Sequence, residues 1–197
     1  MNKKLMVFDV ETTGIVRTNE KNLEKQPYIL ELAYAVLHYD GLHWDVEETY
    51  DKYYNVPVEI PEAATAVHGI TNKRVEHKHM IYEDIHSIVQ KMREVDHIIG
   101  HNVKFDLNML WVELARIKAH QDFKNVVEGK VIDTMRESKQ EVQAKDKIGR
   151  LKFPRLTELH AHLFGEEFEG AHNALSDVMA TLECFKELYN RKIIDIL

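Results

Sequence analysis

The apolar positions change period several times along the chain. Leu5, Met6, Val7 and Phe8 form a short apolar run, and from Leu5 to Glu11 the pattern predicts a strand. Residues 15–26 are polar and read as a loop. Residues 28–39 and 43–56 are rich in β-branched and aromatic residues and predict two strands joined by a turn at Asp40–Gly41. A short helix and turn are expected after Pro61, over 61–71. Ile81, Ile85, Ile88, Val89, Met92 and Val95 then recur at helical spacing, and so do Leu107, Leu110, Trp111, Leu114 and Ile117. Between those helices "HIIG" (97–100) reads as a short strand, and "KVIDT" (130–134) as another. A helix opens at Pro154 and closes at Gly165, and a last one covers 173–190. This order predicts an α/β domain: an antiparallel meander of three strands, extended by two parallel strands that each follow a helix.

Alternation along the first strand puts Leu5, Val7, Asp9 and Glu11 on one face and Met6, Phe8 and Val10 on the other. The first face begins apolar and ends in two carboxylates, at the strand end where open α/β sheets carry their sites. Like charges so close repel, and a hard divalent cation between them reverses that cost. Alone, the pair also fits a strand end emerging into water. Asp106 falls in the first turn of a predicted helix, a common place for an acid. His172 and Asp177 are separated by about 500° of helical rotation, so His172 reaches the same site only from the loop ahead of the last helix. Asn173 is the expected N-cap there.

Composition narrows the picture. The 197 residues suffice for one domain, expected to span 1–197. No apolar run approaches the ~20 residues of a membrane helix, and the N-terminal stretch lacks the features of a signal peptide. One cysteine, Cys184, fits a reducing compartment, with the cytoplasm expected. The net charge of −7 argues against nucleic-acid binding through bulk positive charge, although residues 136–155 are locally basic.

Taken together, "FDVETTG" (8–14), "HNVKFD" (101–106) and "HNALSD" (172–177) resemble the three motifs of the DEDDh 3′–5′ exonuclease family, which includes the proofreading epsilon subunit of bacterial DNA polymerase III and ribonuclease T. "AVHGIT" (66–71) and "VIDTM" (131–135) resemble further segments of that family, and the motifs run in order from about residue 5 to 190. The resemblance implies a ribonuclease H-like fold: a mixed five-stranded sheet flanked by helices. It implies two divalent cations, Mg²⁺ or Mn²⁺, held by Asp9, Glu11, Asp106 and Asp177, with His172 as general base. Two such ions would offset more than half of the net charge. It further implies contact of Thr12, Thr13 and Gly14 with the terminal nucleotide, of His68 with its sugar or base, and of Asn102 and Phe105 with the penultimate unit. Phe105 equally fits plain core, and Ile15 or Ile70 is expected to wedge between the last bases. Asp133 and Thr134 are expected to be structural.

The expected activity is hydrolysis from the 3′ end of single-stranded DNA, releasing nucleoside 5′-monophosphates, with replication or repair proteins as partners. The alternatives are an RNA-trimming exoribonuclease and a non-catalytic, polymerase-accessory module that binds nucleic acid. The tail 191–197 is too short to resemble a polymerase tether, which favours a free-standing enzyme. His160 and His162 cannot share a ligand face, being two apart on a helix. His77 and His79 are expected to be solvated, and Cys184 to be inert.

Overall fold

The computed structural model describes residues 2–196; Met1 and Leu197, the ends of the expected domain and tail, lie outside the described residues. Five strands form one sheet: β1 (Lys3–Thr12), β2 (Ile29–Tyr39), β3 (Trp44–Tyr53), β4 (His97–Gly100) and β5 (Val131–Asp133). Their order is β3-β2-β1-β4-β5, with β1–β2 and β2–β3 antiparallel and β1–β4 and β4–β5 parallel. The helices are α1 (Glu62–His68), α2 (Asn72–Val75), α3 (Ile85–Arg93), α4 (Val103–Arg116), α5 (Phe123–Val127), α6 (Thr134–Glu137), α7 (Lys139–Val142), α8 (Leu156–Phe164) and α9 (Ala174–Asn190).

The alternation in β1 sorts the core into two layers. Met6, Phe8 and Val10 pack with Ile85, Ile88 and Met92 of α3 and with Met109 and Leu110 of α4. Leu5 and Val7 pack with Leu159 of α8 and with Val178, Leu182 and Phe185 of α9. The strand is therefore covered on both faces, and its acidic end emerges where the two layers part. Ile194 and Ile196 join the second layer, so the segment after α9 packs back onto the sheet.

Three local features position the site. A bulge lets Thr12 pair with Ile29 while Glu11 still faces Glu31; the freed Ile29 N–H donates to the buried Glu113 carboxylate at 2.9 Å. Gly100 ends β4 where a Cβ would lie 2.8 Å from Val103 Cβ and 3.2 Å from the Phe8 carbonyl oxygen, so only glycine lets α4 start so close to β1. Asn102 then turns left-handed (φ 66°), its N–H donating to Asp133 at 2.9 Å.

The periodicity over 81–95 predicts one helix, whereas the chain forms a 3-10 turn (Ile81–Glu83) and then α3. Asp84 sits at the break, its carboxylate accepting from Tyr50, Lys52 and His79. His79 is thus hydrogen-bonded to Asp84 at 2.8 Å rather than simply solvated.

Candidate active site

Asp9 and Glu11 stand at the end of β1, and two other segments bring acids to them. The first turn of α4 carries Asp106, whose Oδ1 accepts the backbone N–H of Val10 at 3.1 Å. That bond ties the helix end to the middle of the acidic strand. Asp177 lies in the first turn of α9, and the backbone N–H of His172 donates to its two carboxylate oxygens at 3.4 and 3.2 Å. His172 takes a left-handed backbone (φ 68°) to fold back this way, a costly conformation for a residue with a Cβ. One ligand atom each from Glu11, His172 and Asp177 lies within 4.8 Å of the others. All five residues, with Asn102 and Phe105, line one cleft of ≈ 410 Å³.

The electrostatics are those of crowded, buried carboxylates. Burial, then the charges of Asp106, Asp177, Glu11 and Glu31, push the Asp9 carboxyl well above its ordinary range. Burial and the neighbouring acids raise Glu11 to about 8. Burial raises Asp106 despite the N–H it accepts from Val10, and it raises Asp177 to about 6. Carboxylates forced together in this way fit hard divalent cations, which favour oxygen donors and remove the repulsion.

A second cleft, of ≈ 370 Å³, opens on the other side of Glu11 and Phe105 and is lined by Thr12, Thr13, Gly14, Ile15 and His68. Its polar side chains are already engaged. The Thr12 hydroxyl donates to the Gly14 carbonyl at 2.6 Å, and the Thr13 hydroxyl accepts from Tyr28 N–H at 2.9 Å. His68 Nδ1 accepts from Ile70 N–H at 3.0 Å, leaving Nε2 to donate to the Thr12 carbonyl at 3.2 Å. Burial lowers its pKa, which keeps the ring neutral in that role. Phe105 packs against the core and lines both clefts. Ile15 is 76% exposed, while Ile70 is 2% exposed and held among Leu30, Ile60 and Val75. Ile70 therefore has no free surface to wedge between bases.

Asp133 and Thr134 are structural as read: Asp133 caps α6, and the Thr134 hydroxyl donates to the Gly100 carbonyl. His160 is buried, its two ring nitrogens facing Glu166 O and Glu183.

Four further residues shape the site, two of them from the basic stretch 136–155 that the sequence marks as a candidate rim. Glu31 is 1% exposed, faces Glu11 across the ladder, and accepts from Asn173 Nδ2 at 2.8 Å. Its signal was a lone acid inside an otherwise apolar strand. His101 bridges Thr134 Oγ1 (3.1 Å) and the Pro154 carbonyl (3.0 Å), pinning the basic loop against the end of β4. Phe153 and Arg155 of that loop line the catalytic cleft.

Residues 6–185 match the RNase_T family, described as an exonuclease. The 3′-5′ exonuclease DinG of Bacillus subtilis (strain 168) is 27% identical over 97% of this chain, which spans 18% of DinG. Exonuclease I of E. coli in complex with a dT13 oligonucleotide superposes with a TM-score of 0.72 at 18% identity, covering 96% of this chain and 42% of that one. The zinc ion bound form of the E. coli ExoI–ssDNA complex gives 0.69 at 18% identity, covering 96% and 41%. At such identities the superposition shows a shared fold, a mixed five-stranded sheet flanked by helices. Among the described residues, no helix is long and apolar enough to cross a membrane.

Proposed function

Since this chain belongs to the RNase_T exonuclease family, we propose that it is a metal-dependent 3′–5′ exonuclease that releases nucleoside 5′-monophosphates from single-stranded DNA. One observation carries the reading: acids from β1, α4 and α9 line a single cleft beside a loop imidazole, with Glu11, His172 and Asp177 offering atoms within 4.8 Å of one another.

Asp9, Glu11, Asp106 and Asp177 would hold two divalent cations, Mg²⁺ or Mn²⁺. When bound, such ions lower the pKa of the attacking water and neutralise charge gathering on the phosphate and the leaving 3′-oxygen. His172, exposed beside Glu11 and Asp177, takes the proton from that water. Asp177 holds the His172 backbone, so the imidazole is aimed by the carboxylate next to it. The 12–14 loop borders the 3′-terminal nucleotide, its hydroxyls and the Thr13 N–H serving the fold. His68 keeps that loop in place and borders the terminal sugar. Phe105 and Asn102 border the penultimate unit.

Single-stranded DNA is favoured because the E. coli Exonuclease I complexes of similar fold hold dT13 and dA16 oligonucleotides. Residues 1–197 act as one exonuclease domain in DNA repair or replication, with proteins of those processes as partners. The lone cysteine, Cys184, is buried and suits the reducing cytoplasm.

The test is digestion of end-labelled single-stranded DNA and RNA of matched sequence with Mg²⁺, Mn²⁺ or chelator. A ladder shortening from the DNA 3′ end, abolished by chelator, is expected. Preference for RNA moves the enzyme to the RNA-trimming class, and binding without cleavage under either metal makes it an accessory module.

A further inference from the structure

A second groove, of ≈ 580 Å³, runs between α4, α5 and β5, outside the catalytic cleft. Leu107, Trp111 and Phe123 form its apolar wall, and Lys104, Lys124 and Arg136 stand along it. Trp111 is 42% exposed, an unusual state for the largest apolar side chain, and His120 braces it edge-on at 5.2 Å. Two acids also line the groove. Asp133 accepts the N–H groups of Asn102 and Met135 on Oδ1, and its Oδ2 lies 3.4 Å from Arg136; Glu137 is exposed.

The groove and the cleft are separated by two single turns of helix. In α4, Phe105 and Asp106 line the cleft while Lys104 and Leu107 line the groove. In α6, Met135 lines the cleft and Arg136 the groove. The divide is bridged by cations: Arg136 and Lys139 sit over the ring of Phe153, at 5.5 and 4.5 Å, and Phe153 lines the cleft. In a chain of net charge −7, a line of cations interleaved with exposed aromatic rings, continuous with a cleft that takes phosphodiesters, is the pattern that tracks a single strand. Aromatic faces stack on any base, and the lysines and arginines follow the phosphates.

We propose that this groove binds the upstream part of the single strand whose 3′ end lies in the catalytic cleft, with a base stacked on Trp111 and phosphates paired to Lys104, Lys124 and Arg136. The proposal rests on the exonuclease reading for the identity of the strand. It makes binding depend on substrate length: a dinucleotide fills the cleft alone, and a longer strand also fills the groove.

The protein has two tryptophans, and Trp44 is packed against Tyr39 at 4.0 Å, so Trp44→Phe leaves Trp111 as the reporter. Titrating that full-length variant with dT15 in chelator, where nothing is cleaved, is expected to quench its emission to saturation. By anisotropy, Trp111→Ala should bind dT15 about 10-fold more weakly, as for one lost stacked base. Lys124→Ala should lower the slope of log K against log salt by about 0.7. The ratio of KM for dT2 to KM for dT15 should fall about 10-fold in the Trp111→Ala variant. If dT15 is degraded with Mg²⁺ yet neither quenches Trp111 nor binds Trp111→Ala more weakly, the groove is not a strand site and the exonuclease reading survives. Quenching without cleavage under any metal keeps the groove and sinks the exonuclease reading. A wild-type dimer that Trp111→Ala converts to monomer in sedimentation makes the groove an interface between copies, which overturns the proposal.

Discussion

The side-chain amide of Asn173 donates to Oε1 of Glu31 at 2.8 Å, while its Oδ1 accepts the Ser176 N–H that opens α9. One residue thus joins β2 to the helix that carries Asp177 and to the loop that carries His172. Glu31 is buried, and burial raises its carboxyl to about 7. Glu31→Ala leaves the Asn173 amide with only its longer bond to the Tyr53 hydroxyl at 3.3 Å, which should cost about 1 kcal/mol of stability. Because the loop bearing His172 loses its tether, kcat should fall about 10-fold with KM little changed. Glu31→Gln retains an acceptor and should restore most of kcat. Steady-state kinetics on both variants, with thermal melts, check this; wild-type kcat in Glu31→Ala would show that the tether does not position the loop.

Repulsion within the site should be visible in the metal-free protein. Asp9, Glu11 and Asp106 have folded-state pKa values above their ordinary ones, with Glu11 at about 8. The native state therefore holds protons the unfolded chain has lost, so stability falls as pH rises toward that value. His68 and His101 have lowered pKa values, so they add stability as pH rises, an opposing trend that fades once pH passes the ordinary imidazole value of 6.5. Melting in chelator should drop between pH 6.5 and 8.5, and Mg²⁺ should flatten the slope. Asp9→Asn should raise the metal-free melting temperature by about 2–4 °C for each kcal/mol of repulsion relieved, while abolishing activity.

Gly100→Ala should damage both fold and site. The new methyl meets Val103 Cβ at 2.8 Å and the Phe8 carbonyl at 3.2 Å, and neither is the far end of a flexible chain. Relief requires α4 to move off β1, stretching the bond from Val10 to Asp106. A loss of about 1–3 kcal/mol in denaturant melts is expected, with reduced activity.

His172→Ala separates a base from a ligand. With the imidazole acting on the proton, kcat should fall about 10²- to 10⁴-fold. Mn²⁺ affinity by calorimetry should stay close to wild type, because the four carboxylates remain. An equal loss of metal affinity would make His172 a ligand instead.

The central elements were legible because their apolar spacing is regular. β1 reads as a two-faced strand ending in acids, and the stripes of α4 and α9 are continuous, so the antiparallel meander with its parallel extension follows from pattern, and the meeting of three acidic segments from motif resemblance. What escaped the sequence depends on tertiary context. The four-residue helices α2, α6 and α7 and the five-residue α5 are too short to show a period. The stripe over 81–95 hid the break at Asp84, whose partners Tyr50 and Lys52 come from another strand. Glu31 shows in the sequence only as a lone acid in an apolar strand, because its partner, Asn173, lies 142 positions away. Ile70 and Ile15 looked equivalent in sequence, and only packing tells the buried one from the exposed one.

Anomalous diffraction from crystals soaked in Mn²⁺ tests the central claim most directly. Two peaks roughly 3.5–4 Å apart are expected, bounded by the carboxylate oxygens of Asp9, Glu11, Asp106 and Asp177, with the His172 imidazole outside bonding distance. No peak in the cleft at saturating Mn²⁺, or a lone ion held away from Asp9, would contradict the account.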